Sequence, residues 1–196
     1  MTKIAVFVSG SGSDMQSIVD AIVAGELNAS IELVVASKAD IFALERAKGA
    51  GLRAEVYCKS DFLSLELMYE KLIEQLHSLE VEYIVLAGYL TILTPNIIKA
   101  FEHHIINIHP SLIPKYCGMG MYGMKVHSAV IANRETVSGA TVHFVDEGAD
   151  TGEIIAQETV PVYPNDTEMT LQKRVLELEH KLLPKTLKSL FNKEKE

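Results

Sequence analysis

The stretch "KIAVFVSGSGSDMQSIVDAIVAG" (residues 3–25) decides the architecture. Its first part, "KIAVFVS" (3–9), is a short apolar run and reads as a strand buried on both faces. Its last part, "DMQSIVDAIVAG" (14–25), sets Ile18, Val19 and Ile22 on one helical face and ends at Gly25, a residue suited to the left-handed C′ position. Between them lies "SGSGSD" (9–14). A buried strand, a glycine turn and an amphipathic helix open a βαβ unit. In such a unit the N–H groups of the loop and the helix N-terminus can cradle an anion. The competing reading is a strand–helix turn that needs glycine for its shape alone.

The same alternation continues outward. "IELVVAS" (31–37) is a second strand and "IFALERAKGAG" (41–51) a second helix; "RAEVY" (53–57) is a weaker strand. "SLELMYEKLIEQLHSL" (64–79) is an amphipathic helix and "YIVLAG" (83–88) a buried strand. "TPNIIKAFE" (94–102) begins a helix with Thr94 as N-cap and Pro95 at N1, and "IINIH" (105–109) is the next strand. This order predicts an α/β fold: a mostly parallel, Rossmann-like sheet with helices on both faces. Its ligand rim lies at the carboxyl ends of the strands. The C-terminal part differs. "SGATVHFV" (138–145) and "EIIAQETVPV" (153–162), joined by "DEGADTG", predict an antiparallel extension. A long last helix (170–191) carries Leu171, Val175, Leu178 and Leu182 as its stripe, with a kink expected at Pro184 and a frayed "KEKE" end. One domain is expected over 1–196, with a phosphate- and nucleotide-binding half (1–100) and a catalytic half (101–196).

The glycine loop reads G-x-G-x-x-M, because Met15 occupies the third glycine place, and the second strand ends in Ser37, not an acid. Both features disfavour a dinucleotide site, and no Lys-Ser or Lys-Thr follows to make a Walker A loop. Asp14 is a poor phosphate ligand but a good N-cap, its carboxylate taken up by the helix's own N–H groups.

Polar chemistry gathers at "NIHPSLIP" (107–114). Residues i and i+2 of a strand share a face, so Asn107 and His109 leave the sheet side by side. Of the other histidines, His103, His104 and His77 read as surface residues and His143 as a satisfied core histidine, His127 opens a helix, and His180 lies on the last helix. "DEGAD" (146–150) offers carboxylates from the neighbouring sheet edge. A histidine beside a buried carboxylate holds its proton more firmly and can act as a general acid, with an amide donating to a developing oxyanion. The spacing does not choose among Asp146, Glu147 and Asp150.

The formal charge of −8 argues against a general nucleic-acid or polybasic membrane surface. The two cysteines, Cys58 and Cys117, form no C-x-x-C, so neither zinc nor a disulfide framework is expected, and a reduced, cytoplasmic setting is the simplest reading. The N-terminal apolar run is too short for a signal peptide, and no stretch approaches the roughly 20 apolar residues of a membrane helix.

Taken together, "VSGSGSDMQSI", "ASKADIFALERAKGAG", "VLAGYLTILTP", "NIHPSLIPKY", "GATVHFVDEGADTGEII" and "RVLELEHKLLP" closely resemble the phosphoribosylglycinamide formyltransferase family, the folate-dependent formyltransferases of purine synthesis. The resemblance covers nearly the whole chain. It implies formyl transfer from 10-formyltetrahydrofolate, as cosubstrate, to the amine of glycinamide ribonucleotide, without a metal. It also implies a monomer or homodimer whose partners are small molecules. It maps the family's catalytic Asn, His and Asp onto Asn107, His109 and Asp150, and so selects among the three acids. It carries the phosphate loop onto Ser11, Gly12, Ser13 and Asp14, and the ribose contact onto Glu179, which alone reads as a solvated acid. The folate pocket falls on Leu90, Thr91, Ile92 and Leu93, on Asn107, and on Asp146, Glu147, Gly148, Ala149 and Asp150. Departures are Asp14, where many members have Asn, and Leu65 and Thr91, where Arg is common. "CGMGMYGMK" (117–125) is longer than in some members and is expected to be a lid hinged at Gly118, Gly120 and Gly123.

Formyltetrahydrofolate deformylase is the alternative within the same chemistry; its usual N-terminal regulatory module does not fit in this length. A methionyl-tRNA formyltransferase would usually add a basic C-terminal RNA-binding domain. A nucleotide-binding oxidoreductase domain and a binding-only module are the rivals from other classes.

Overall fold

In strand β1 (Thr2–Val8) every residue but Lys3 is buried, and its side chains divide by parity. Ile4, Val6 and Val8 face one hydrophobic cluster; Ala5 and Phe7 face another. The period-2 geometry of a strand thus makes β1 the centre of a three-layer sandwich. In the computed structural model, which describes residues 1–193, β1 is followed by α1 (Ser13–Val23), β2 (Ala29–Ala36), α2 (Phe42–Gly49) and β3 (Ala54–Val56). A single 3-10 turn then leads into α3 (Leu65–Ser78), β4 (Tyr83–Leu86), α4 (Pro95–Ala100) and β5 (Ile105–His109). The chain ends with α5 (Met124–Ala132), β6 (Val137–Phe144), β7 (Ile154–Pro161) and α6 (Glu168–Lys193). The fraying expected of the "KEKE" end falls mainly on residues 194–196, outside the described residues.

The sheet order is β3-β2-β1-β4-β5-β6-β7. β1 to β5 run parallel, and β6 and β7 antiparallel to their neighbours. Parallel body and antiparallel extension are both as expected. The order reverses between β1 and β4, which opens a crevice at their carboxyl ends. One face of the sheet is covered by α1, α2, α5 and α6 through Met15, Ile18, Ala47, Val130, Leu171 and Val175. The other is covered by α3 and α4 through Met68, Tyr69, Leu72, Leu76 and Ile97.

Local corrections have physical causes. Gly12, not Asp14, is the N-cap of α1, at φ 71°. A Cβ at Gly12 would stand 2.7 Å from Ala43 Cβ, so both the positive φ and the approach of α2 require glycine there. Asp14 is therefore already inside the first turn, and its Oδ1 is buried with no hydrogen-bond partner instead of capping the helix. Thr94 does precede α4, but its hydroxyl bonds the Asn96 side chain, and Asn96 Oδ1 accepts from Ile97 N. Pro184 lies inside α6, which stays helical on both sides of it. Leu171, Val175 and Leu182 are buried as their spacing predicts, and Leu178 is half-buried against the same cluster.

Candidate active site

The crevice beyond β1, β4 and β5 is a cleft of about 550 Å³, within the usual range of small-molecule sites. Its walls bring together the glycine loop (10–14), the segment 87–92, Asn107 and His109 of β5, the glycine-rich segment 118–123, Asp150, and Glu179 of α6. Segments far apart in the chain meet there because β1, β4 and β5 end on one rim.

At the β1 end, α1 begins with backbone N–H groups aimed past Gly12. Arg46 of α2 braces the loop, its Nε donating to Ser11 O at 3.0 Å. Ser37, at the end of β2, donates to Ser9 Oγ at 2.7 Å, and Ser9 Oγ also accepts from Leu90 N at 2.9 Å. Where a dinucleotide fold would place an acid for ribose, this chain ties the glycine loop to the segment after β4. Tyr69 supports that segment from α3, its hydroxyl donating to Ile92 O at 3.2 Å. Leu90, Thr91 and Ile92 line the cleft, whereas Leu93 turns into the core.

Chemistry gathers where β5 meets β6. The antiparallel register sets Asn107 opposite His143 and His109 opposite Thr141. His143 Nδ1 lies 2.7 Å from Phe144 O, so it carries the proton and donates. Burial holds the His143 imidazole below its ordinary pKa, outweighing the hydrogen bond to Phe144 O and the carboxylate of Asp150. Nε2 of this neutral ring is then an acceptor, and the atom 3.1 Å from it must be the Asn107 amide nitrogen, as assigned. One Asn107 N–H is committed to His143 and the second is free to donate. The 3.7 Å approach of His143 Nε2 to Asp150 Oδ1 is accordingly not an ion pair, although its distance alone would allow one.

His109 is buried, and its Nε2 donates to Tyr116 O at 2.9 Å. The other nitrogen, Nδ1, stands 3.6 Å from Asp150 Oδ2. That is too long for a direct hydrogen bond but leaves imidazole and carboxylate side by side. Asp150 is held in a left-handed conformation, φ 58°, and its Oδ2 accepts from Gly118 N at 2.8 Å. The glycine-rich segment is thus tied to the acid, and Gly118, Gly120 and Gly123 all have positive φ. Asp146 accepts from Gly148 N and Thr151 Oγ1 and closes the turn. Of the acidic turn only Ala149 and Asp150 reach the cleft; Asp146, Glu147 and Gly148 do not.

Glu179 is a correction to the solvated acid its position suggested: it is 7% exposed and lines the cleft. Sequence reasoning also placed His143 in the core without seeing that it orients Asn107. The available signal was the pairing of "NIH" with "VHF" across antiparallel strands. It left His127 without a role; this residue lines the cleft, is fully buried, and is pushed down to about 4 by burial and by His109. Among the described residues no group of three or more His, Cys, Asp or Glu is arranged to hold a metal. Among them, too, no helix is long and apolar enough to cross a membrane.

Known proteins share this sequence and fold. The formyl transferase family model matches residues 2–187. The chain is 43% identical over 188 residues to the chloroplastic phosphoribosylglycinamide formyltransferase of Vigna unguiculata, covering 96% of this chain and 60% of that protein. It is 39% identical to the phosphoribosylglycinamide formyltransferase of Haemophilus influenzae, covering 96% and 86% of the two chains. The crystal structure of phosphoribosylglycinamide formyltransferase from Bacillus halodurans superposes with a TM-score of 0.91 at 34% identity, over 98% of this chain and 97% of that one. The chain therefore belongs to the formyl transferase family, among the phosphoribosylglycinamide formyltransferases.

Proposed function

We propose that this chain transfers the formyl group of 10-formyltetrahydrofolate to the primary amine of glycinamide ribonucleotide, giving the formylated nucleotide and tetrahydrofolate. The observation that carries this reading is the convergence of Asn107, His109 and Asp150 on one cleft with a glycine loop at its other end. Residues 1–100 then hold the nucleotide, and residues 101–196 supply the chemistry and most of the folate contacts.

The glycine loop, Ser11 to Ser13, takes the phosphate on the N–H groups of α1, and Glu179 takes the ribose. Leu90, Thr91 and Ile92 flank the folate. Asn107 offers its second N–H, and protonated His109 its Nδ1–H, to the oxygen that becomes negative as the amine attacks the formyl carbon. Donors placed where charge develops act mainly in the transition state, which is where they lower the barrier. Asp150 stabilises the imidazolium and, through water, receives the proton leaving the amine and returns one to N10 of the folate as the C–N10 bond breaks. The segment 117–125 closes over the cleft as a lid, with Asp150 as its latch through Gly118 N.

Folate absorbance with and without the nucleotide tests the reaction. Turnover that requires the amine supports transfer; equal turnover without it would make the chain a deformylase. His109→Ala should lower the rate by about a hundredfold or more. A loss under about tenfold would remove His109 from the mechanism.

A further inference from the structure

Two buried carboxylates line the nucleotide end of the cleft, where an anion is expected, and an imidazole approaches them from the adjoining outer groove. Asp14 Oδ1 and His180 Nε2 lie 3.7 Å apart, and each is buried without a hydrogen-bond partner. Glu179, 93% buried as its 7% exposure implies, lines the same wall and has no hydrogen bond among the described residues. Two buried polar atoms left without a hydrogen bond beside a ligand cleft are costly unless a ligand or a proton completes them. Ionised, the two acids would oppose a phosphate on the N-terminus of α1; protonated or paired with imidazolium, they would not.

We propose that Asp14, Glu179 and His180 form a proton-uptake site, so that a phosphomonoester binds on the glycine loop together with a proton taken up by this cluster. The inference rests on the nucleotide reading above and assigns to Asp14 the pH dependence of nucleotide affinity. Burial, and for Glu179 also the charge of Asp14, raise both carboxyls above their ordinary range, while His180 acts against the shift at Asp14. A phosphate dianion arriving beside them adds like charge and raises their affinity for a proton further. The outer groove on the His180 side also carries Arg46, which braces Ser11 from α2, together with Asp20, Glu26, Lys181, Lys185 and Lys188. Across the cleft His109, His127 and Asp150 belong to the formyl end.

The ligand for the test is formylglycinamide ribonucleotide, which has the phosphate and ribose but no free amine to titrate. Its binding is measured calorimetrically at pH 7.5 in two buffers of different ionisation enthalpy. The wild-type protein should take up close to one proton. Its Kd should then weaken by up to about tenfold per pH unit above neutrality, the limit for one linked proton. Asp14→Asn, which keeps shape and removes the acid, should abolish most of the uptake; Glu179→Gln should reduce it and provides a second measure should the first variant fold poorly. Heats that do not depend on buffer in the wild type would overturn the inference while leaving the nucleotide site standing. Uptake unchanged in both variants would assign the proton to the phosphate itself and also overturn it. Absence of wild-type binding in every buffer would defeat the nucleotide reading and this inference together.

Discussion

The sharpest consequence of the site concerns His143, a residue that touches no reacting atom in the proposed reaction. Its neutral ring accepts from the Asn107 amide at 3.1 Å and donates to Phe144 O at 2.7 Å, which fixes the direction of the amide. Without that acceptor, Asn107 can rotate and present its oxygen to the developing oxyanion. The orienting hydrogen bond is worth about 0.5–1.5 kcal/mol. At 1.36 kcal/mol per decade this corresponds to a loss of about two- to thirteenfold in kcat for His143→Leu. Asn107→Ala removes the donor itself and should cost about a hundred- to a thousandfold, the range for one oxyanion-hole donor. His143→Leu should also lower unfolding free energy by about 1 kcal/mol, because Phe144 O loses its hydrogen-bond partner at a part-buried position.

The double variant decides the matter. If His143 acts through Asn107, the pair Asn107→Ala and His143→Leu should be no slower than Asn107→Ala alone, a coupling visible in a double-mutant cycle. Initial rates at saturating nucleotide and folate, with urea denaturation in parallel, separate the catalytic effect from the loss of stability. Losses that multiply in the double variant would show that His143 works independently of the amide. A loss under about tenfold for Asn107→Ala would remove the donor role that the whole orientation argument serves.

Two further outcomes are expected. His127 stands near 4 in the folded protein against an ordinary 6.5, so the unfolded chain binds its proton first as pH falls. The contribution of His127 to stability is therefore fully present above about pH 6.5 and falls by up to roughly 3 kcal/mol as pH drops toward 4; His127→Leu should flatten this part of the acid limb in urea titrations, and an unchanged limb would contradict the assignment. The lid should become resistant to proteolysis within 117–125 when nucleotide and a non-reactive folate are both bound, and cleavage at an unchanged rate would remove the closure.

The parallel sheet was legible because β1 to β5 carry apolar runs with helical periodicity between them, a local signal that tertiary packing reinforced. Asn107 and His109 were legible as a pair for an equally local reason, the two-residue repeat of a strand. Glu179 was not. On α6 it sits beside the apolar stripe, and only the docking of α6 onto α1 turns its carboxyl into the cleft. Asp14 misled for a related reason: whether a residue caps a helix or lies inside it depends on one left-handed glycine, Gly12, two positions earlier. The turn 146–150 was read as contributing as a whole, yet Asp146 turns its Oδ1 inward to accept from both Gly148 N and Thr151 Oγ1. The self-closing of that turn leaves Asp150 as the acid carried to the cleft.

The change of strand direction at β6 does more than extend the sheet. A parallel strand after β5 would have to return to the opposite rim before entering the sheet. Because β6 runs antiparallel, Thr141 to Phe144 pass directly alongside Ile106 to His109, and His143 faces Asn107 as a cross-strand neighbour. The register shift between Val142 and His143 against β7 falls at the same place, where a bulge re-aims side chains. The turn after β6 then brings Asp150 within 3.6 Å of His109 Nδ1. Meanwhile the reversal of strand order between β1 and β4 opens the other end of the same crevice over the glycine loop. Two topological irregularities in one sheet therefore bring the glycine loop and the Asn107–His109–Asp150 group to one crevice.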